Sequence, residues 1–161
     1  MKKAILVLGV VVIAVVSVWK LRSTDAVVQP QSSATDGDLV LDRIWIDHIP
    51  RNDKDVMQVF LAITEQPFGV FQAASQWKGA YEIFRYEAHG DEMRLVYPQS
   101  NEREKLKVKA RRCTEKGMDF CLELEGSSRG VKKYYSQKGW EVDGELAAAR
   151  DQIDAVVRSA R

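Results

Sequence analysis

Residues 104–125 read EKLKVKARRCTEKGMDFCLELE, and their alternation decides the fold. Ahead of Glu115-Lys116-Gly117, Lys105, Lys107, Lys109, Arg111 and Cys113 share one face, and Leu106, Val108 and Ala110 share the other. Beyond it, Asp119, Cys121, Glu123 and Glu125 oppose Met118, Phe120, Leu122 and Leu124. Period-two patterning on either side of a turn that offers Gly for a positive φ predicts a β-hairpin with one wet and one buried face. The register that sets cations across from carboxylates also brings Cys113 beside or diagonal to Cys121 on the charged face. The hairpin therefore predicts a surface disulfide.

Working outward, β-prone segments recur with turn signals between them, at the spacing of an all-β domain. The expected strands are Leu39–His48, Val56–Glu65, Phe68–Trp77, Ala80–Ala88, Glu92–Tyr97, Glu104–Cys113, Met118–Glu125 and Val131–Lys138, joined as an antiparallel meander. The charged loop Pro50–Asp55 reads as a solvated tip. Ile44-Trp45-Ile46 and the run Val59–Ile63 are apolar on both faces, and Tyr81, Ile83, Phe84 and Tyr86 populate both faces of the fourth strand. Such a sheet needs a partner on each side. One is a barrel interior. The other is an amphipathic helix over residues 143–160, capped by Asp143, with Leu146, Ala149, Ile153, Val156, Val157 and Ala160 along one stripe.

The chain has 161 residues, 24 basic and 23 acidic, for a formal net charge of +1. It has room for one domain plus a tail and carries no overall field to draw nucleic acid. Lys2 and Lys3 precede an apolar run from Ala4 to Trp19, broken only by Gly9 and Ser17 and followed by Lys20 and Arg22. Residues 1–22 read as an export segment. The run falls between the roughly 7–15 apolar residues of a cleaved signal and the about 20 of a spanning helix; no Ala-x-Ala site follows directly, and Lys20 and Arg22 can snorkel to the interface and let Leu21 extend the apolar length. We therefore expect a retained inner-membrane anchor with the domain on the periplasmic or outer side; cleavage, the alternative, gives a secreted domain. Residues 23–37, polar and carrying Pro30, read as a flexible linker, and residues 38–161 as the domain. Export places the two cysteines where a disulfide persists.

An export segment, about eight sequential antiparallel strands and a C-terminal amphipathic helix resemble the lipocalin-like, or calycin, architecture. Trp45 lies on the first strand as the lipocalin signature requires, but Arg43 stands where that signature has Gly, and Gln76-Trp77-Lys78-Gly79 also lacks the preceding Gly. The resemblance implies a cup-shaped barrel able to hold a small apolar ligand, although barrels of this size are also filled by their own side chains. A closed barrel and a strongly curved sheet both fit the element order.

No motif marks a catalytic centre. His48 and His89 are the only histidines, with no paired metal-ligand spacing, and no Gly-x-Ser-x-Gly turn marks a nucleophile. No enzyme activity, cofactor or metal is expected. The basic row Lys105, Lys107, Lys109, Arg111 and Arg112 reads as a solvated face neutralised by Asp119, Glu123 and Glu125. Tyr134, Tyr135 and Trp140 lie near Lys132 and Lys133, and consecutive strand tyrosines point to opposite faces. An exposed ring among cations there is the candidate interaction surface. Two functions follow as expectations: an envelope module binding a small apolar ligand or a protein partner, or an assembly subunit of an envelope complex without a ligand.

Overall fold

The computed structural model describes residues 39–75, 79–143, 151–155 and 158, all within the unit Ala34–Arg161. The expected anchor and linker lie outside the described residues, among which no helix is long and apolar enough to cross a membrane. The described strands close into one antiparallel barrel in chain order: β1 (Trp45–Ile46), β2 (Met57–Ile63), β3 (Phe68–Ala74), β4 (Gly79–His89), β5 (Glu92–Val96), β6 (Arg103–Arg112), β7 (Phe120–Glu125) and β8 (Lys133–Ser136). Ile46 pairs with Phe60's neighbour Val59 on one side and with Tyr135 on the other, so β1 closes the ring. Short turns force sequential neighbours to pair, and closure satisfies the edges that an open sheet would expose.

The opening hairpin is β6–β7, in the register Lys107↔Glu125, Lys109↔Glu123 and Arg111↔Cys121. In its 3-10 turn, Glu115–Gly117, Lys116 has φ 53° and Gly117 φ 74°. The Cys113 N–H donates to the Asp119 carbonyl at 2.9 Å, which sets Cys113 diagonal to Cys121. Their sulfurs are bonded, with the Cα atoms 5.7 Å apart. The disulfide is not on the surface, however: Cys121 is buried and Cys113 half-buried. Met118 also differs from expectation, joining Cys121 on the outer side because it precedes β7 and follows the turn.

The first strand is much shorter than the expected Leu39–His48. Asp42 sits at φ 51° and its carboxylate accepts the Thr64 N–H at 2.7 Å and the Thr64 hydroxyl, which bends the chain out of the ladder. Residues 39–40 are helical, and only a bridge between Arg43 and Glu141 precedes Trp45.

Two apolar clusters form on the two sides of the wall. Inside lie Trp45, Phe60, Phe71, Phe84, Tyr86, Tyr97, Phe120 and Tyr134 with aliphatic residues of β5–β7, as the alternation predicts. Outside β1, β2 and β7–β8, Ile44, Ile46, Met57, Val59, Leu61, Ile63, Cys121 and Tyr135 cluster with Val142 and Ile153. Ile153 belongs to a helical segment, 151–155, within the expected helix; 144–150 and the residues after 155, except Arg158, lie outside the described residues. The outer cover does not extend to all the early strands. On β4 the outward Tyr81 is 69% exposed and Ile83 38%.

Both ends of the interior are stoppered by an arginine. At one end Arg43, itself buried, stands 4.1 Å over the Phe120 ring, bonds the Gln137 carbonyl at 3.0 Å and pairs with Glu141. At the other, Arg129 lies 3.6 Å over the Tyr97 ring and pairs with Glu82 at 2.6 Å and with Glu102. Three interior tyrosine hydroxyls are hydrogen-bonded: Tyr86 donates to the Ile63 carbonyl at 2.9 Å, Tyr97 to Glu104 at 2.7 Å, and the Tyr134 oxygen accepts the Val131 N–H at 3.1 Å, whereas the buried Ser136 hydroxyl has no partner among the described residues. Burial pushes the Tyr86 and Tyr134 hydroxyls up to about 12.

The disulfide spans eight residues. Closing so short a loop constrains the unfolded chain by about 2–3 kcal/mol in the chain-entropy picture. Reduction, or the paired change Cys113→Ala and Cys121→Ala, is expected to lower unfolding free energy by that amount in urea titrations. A midpoint indifferent to reductant would refute this.

Candidate functional site

The groove that gathers most of the candidate residues lies outside the barrel, between the β1–β2 loop and β8. It encloses about 620 Å³ and is lined by Asp47, His48, Arg51, Asp55, Lys116, Val131, Lys132, Lys133 and Tyr135. Three candidates thus meet here: Lys132, Lys133 and Tyr135. Tyr134 does not, because its neighbour's outward placement sends it into the interior, and Trp140 packs half-buried against the outer cluster.

Strand alternation places Tyr135 outward, but its ring is not an open platform. The side chain is 5% exposed, with Lys116 Nζ 4.5 Å and Lys133 Nζ 5.8 Å from the ring centroid. The expectation of an exposed aromatic is corrected here: the chain's own ammonium groups occupy the ring face that would stack on a sugar. Lys116 is held by donating to the Asp47 carbonyl at 3.3 Å, and Lys133 by an ion pair with Glu115 at 2.5 Å. Hydrogen bonds from Lys133 and then Arg111 keep the Glu115 carboxyl below its ordinary value.

His48 closes the acidic side of the groove. Its Nδ1 lies 2.9 Å from Asp47 and its Nε2 3.3 Å from Asp55. Asp55 also accepts the Arg51 N–H at 3.0 Å, and that bond, with help from His48 against the opposing cost of burial, holds its carboxyl below the usual range. The loop expected to be a solvated tip is exposed over residues 51–54 and is folded back by its own carboxylate. Asp47-His48 with a second acid in the next loop was the available signal, but which acid turns back is decided by the loop path.

Among the described residues no nucleophile is paired with either histidine. Both cysteines are oxidised, His48 faces carboxylates, and His89 is exposed at the end of β4. Among the described residues no group of three or more His, Cys, Asp and Glu converges as a metal site. Of the basic row of β6, Lys105, Lys109 and Arg111 are paired, partly by residues other than those expected. Lys105 pairs with Glu92 at 2.6 Å, Lys109 with Glu125 at 3.5 Å and Arg111 with Glu115 at 2.9 Å.

These pairings set an acid limit. The carboxyls of Asp55, Glu92, Glu102, Glu104, Glu115 and Glu141 all lie below their ordinary values. At Glu104 burial opposes the shift, but the Ser128 N–H and the Tyr97 hydroxyl outweigh it. A carboxyl depressed on folding contributes stability above its unfolded pKa and loses it as pH falls through the folded pKa. The urea midpoint is expected to be flat from about pH 6 to 8 and to fall below about pH 4.5. A midpoint that rises on acidification would contradict these pairings.

No protein-family model, curated protein or solved structure matches the chain.

Proposed function

We propose that this chain is a non-catalytic envelope protein, anchored by its N-terminal apolar segment, whose lipocalin-like barrel is a filled scaffold acting through its outer wall. The observation that carries the reading is the state of the interior. Ring centroids inside lie 5.1 Å (Phe60–Phe71) to 6.4 Å (Phe84–Tyr86) apart, and Arg43 and Arg129 stand over rings at the two ends. An interior ligand site would need about 300 Å³ or more of concave space lined by apolar groups. The groove beside Tyr135 is instead external, with Arg51, Lys116, Lys132 and Lys133 on its rim opposite Asp47 and Asp55, and its cationic side suits an acidic segment of a partner protein. The length and flanking charges of residues 2–22 support the anchor, and the Cys113–Cys121 disulfide accords with an oxidising compartment.

The test is native mass spectrometry of the full chain, released from mild detergent after oxidising expression. The expected result is a barrel without a co-purifying small apolar mass. A stoichiometric apolar ligand lost on denaturation would return the function to the interior and overturn the outer-wall reading.

A further inference from the structure

We propose that a second groove, across β4–β5–β6, is a binding site for an amphiphilic phosphate ester, with Arg85 and Arg103 holding the phosphate above Val96. The inference goes beyond the interaction reading, because this groove lies on another part of the wall and its chemistry does not depend on the Tyr135 groove or on an anchor.

The groove encloses about 730 Å³; Arg85, Arg94, Arg103 and Lys105 line it around Val96, and the carboxylates Glu87 and Glu104 also belong to its wall. Its geometry follows from the ladder. Val96 lies directly across from Arg85 on one side and from Arg103 on the other, so the three form one row. Side chains in such a row share a face, and the two arginine backbones are separated by two strand spacings, about 10 Å. Two extended guanidinium groups can therefore close on one anion over the small valine between them.

Charge pairing singles out this row. One step along the strands, Arg94 and Lys105 both contact Glu92, at 3.2 and 2.6 Å, and the Lys105 hydrogen bond is the largest cause of that carboxyl's depressed pKa. Further on, Lys107 faces Glu92 and Glu125 in register. Among the described residues neither Arg85 nor Arg103 has a carboxylate partner; Arg85 stacks at 5.3 Å over the Phe68 ring, which orients its plane, and of the two acids adjacent to Arg103 in sequence Glu102 pairs with Arg129 and Glu104 is turned to Tyr97 and Ser128. A planar guanidinium with free N–H groups is matched to the tetrahedral oxygens of a phosphate, and two of them supply the charge for one phosphate group. The floor between them is apolar: Val96 is 37% exposed and Pro67 lies at the margin. A purely ionic ligand would leave that floor wet, whereas an ester with a short hydrocarbon beside its phosphate would cover it.

The experiment uses the full chain in nanodiscs of zwitterionic phosphatidylcholine, with valine methyl groups labelled for NMR. The probes are n-butyl phosphate, inorganic phosphate and n-butyltrimethylammonium. Butyl phosphate is expected to shift the Val96 methyls saturably, more tightly than inorganic phosphate and more weakly as salt rises, while the ammonium has no effect. Arg85→Ala and Arg103→Ala are each expected to weaken binding at least tenfold, with Arg85→Lys retaining part of it and Lys132→Ala none the weaker. Unchanged methyl positions of the interior Val108 certify that each variant is folded. Unperturbed Val96 methyls, binding indifferent to both arginines, or equal binding of the ammonium would overturn the site. Inorganic phosphate binding as tightly as the ester would overturn the amphiphilic assignment.

Discussion

Phe60→Ala is expected to lower the free energy of unfolding by about 4 kcal/mol, with the dependence on urea concentration unchanged in slope. Phe60 is fully buried, lies opposite Trp45 in the β1–β2 ladder, and contacts Phe71, Phe84 and Tyr134 at centroid separations of 5.1, 5.9 and 6.1 Å. Truncation removes the transfer free energy of the ring and leaves a void that three neighbours, each held by its own strand, cannot fill. Total stabilities of such domains are about 5–15 kcal/mol, so the variant should stand near the limit of folding. The result also bears on function. A loss below about 1.5 kcal/mol would mean a loosely filled interior with room for a guest, and would weaken the outer-wall reading on the same grounds that now support it.

Gly69→Ala is expected to cost about 3 kcal/mol, the upper part of the range for overpacking. Gly69 lies on β3 between Ala62 and Phe84 in the ladder. A Cβ there would fall 2.5 Å from the Leu61 carbonyl oxygen and closer still to the Phe84 ring. The ring cannot move away, since Phe60 and Phe71 pack against it, and the carbonyl belongs to the β2 backbone. Adding Phe84→Leu should recover part of the loss by vacating the ring position, and only part, because the carbonyl stays. Thermal or urea unfolding of the single and double variants measures this. A Gly69→Ala protein as stable as the parent would show that β2 and β3 are not pressed together at this point.

The residues of the β6–β7 hairpin show how far local pattern reaches. Alternation from Lys105 to Glu125, with a turn that admits a positive φ, was sufficient for the strands, their register and the pairing of Cys113 with Cys121, because each depends on neighbours close in the chain. The same holds for the order of the strands and for the two-sided apolar character of β2. The apolar run of residues 4–19 is likewise a property of sequence alone.

Tertiary structure decided whatever depends on chain segments distant in sequence. Whether the wall outside Cys121 is wet was set by Val142 and the neighbouring outer cluster, and Tyr135 was taken from solvent by Lys116, nineteen residues earlier in the chain. Asp42 ended the first strand through Thr64. Arg43 and Arg129 read as ordinary charges in the sequence, yet each stoppers one end of the interior by meeting a ring from another strand. The row Arg85–Val96–Arg103 exists only because β4, β5 and β6 lie side by side in one register. Periodicity assigns a residue to a face; which residues share that face, and which charges remain unpaired on it, is settled by closure of the barrel, since pairing and burial are sums over contacts that the linear order does not contain.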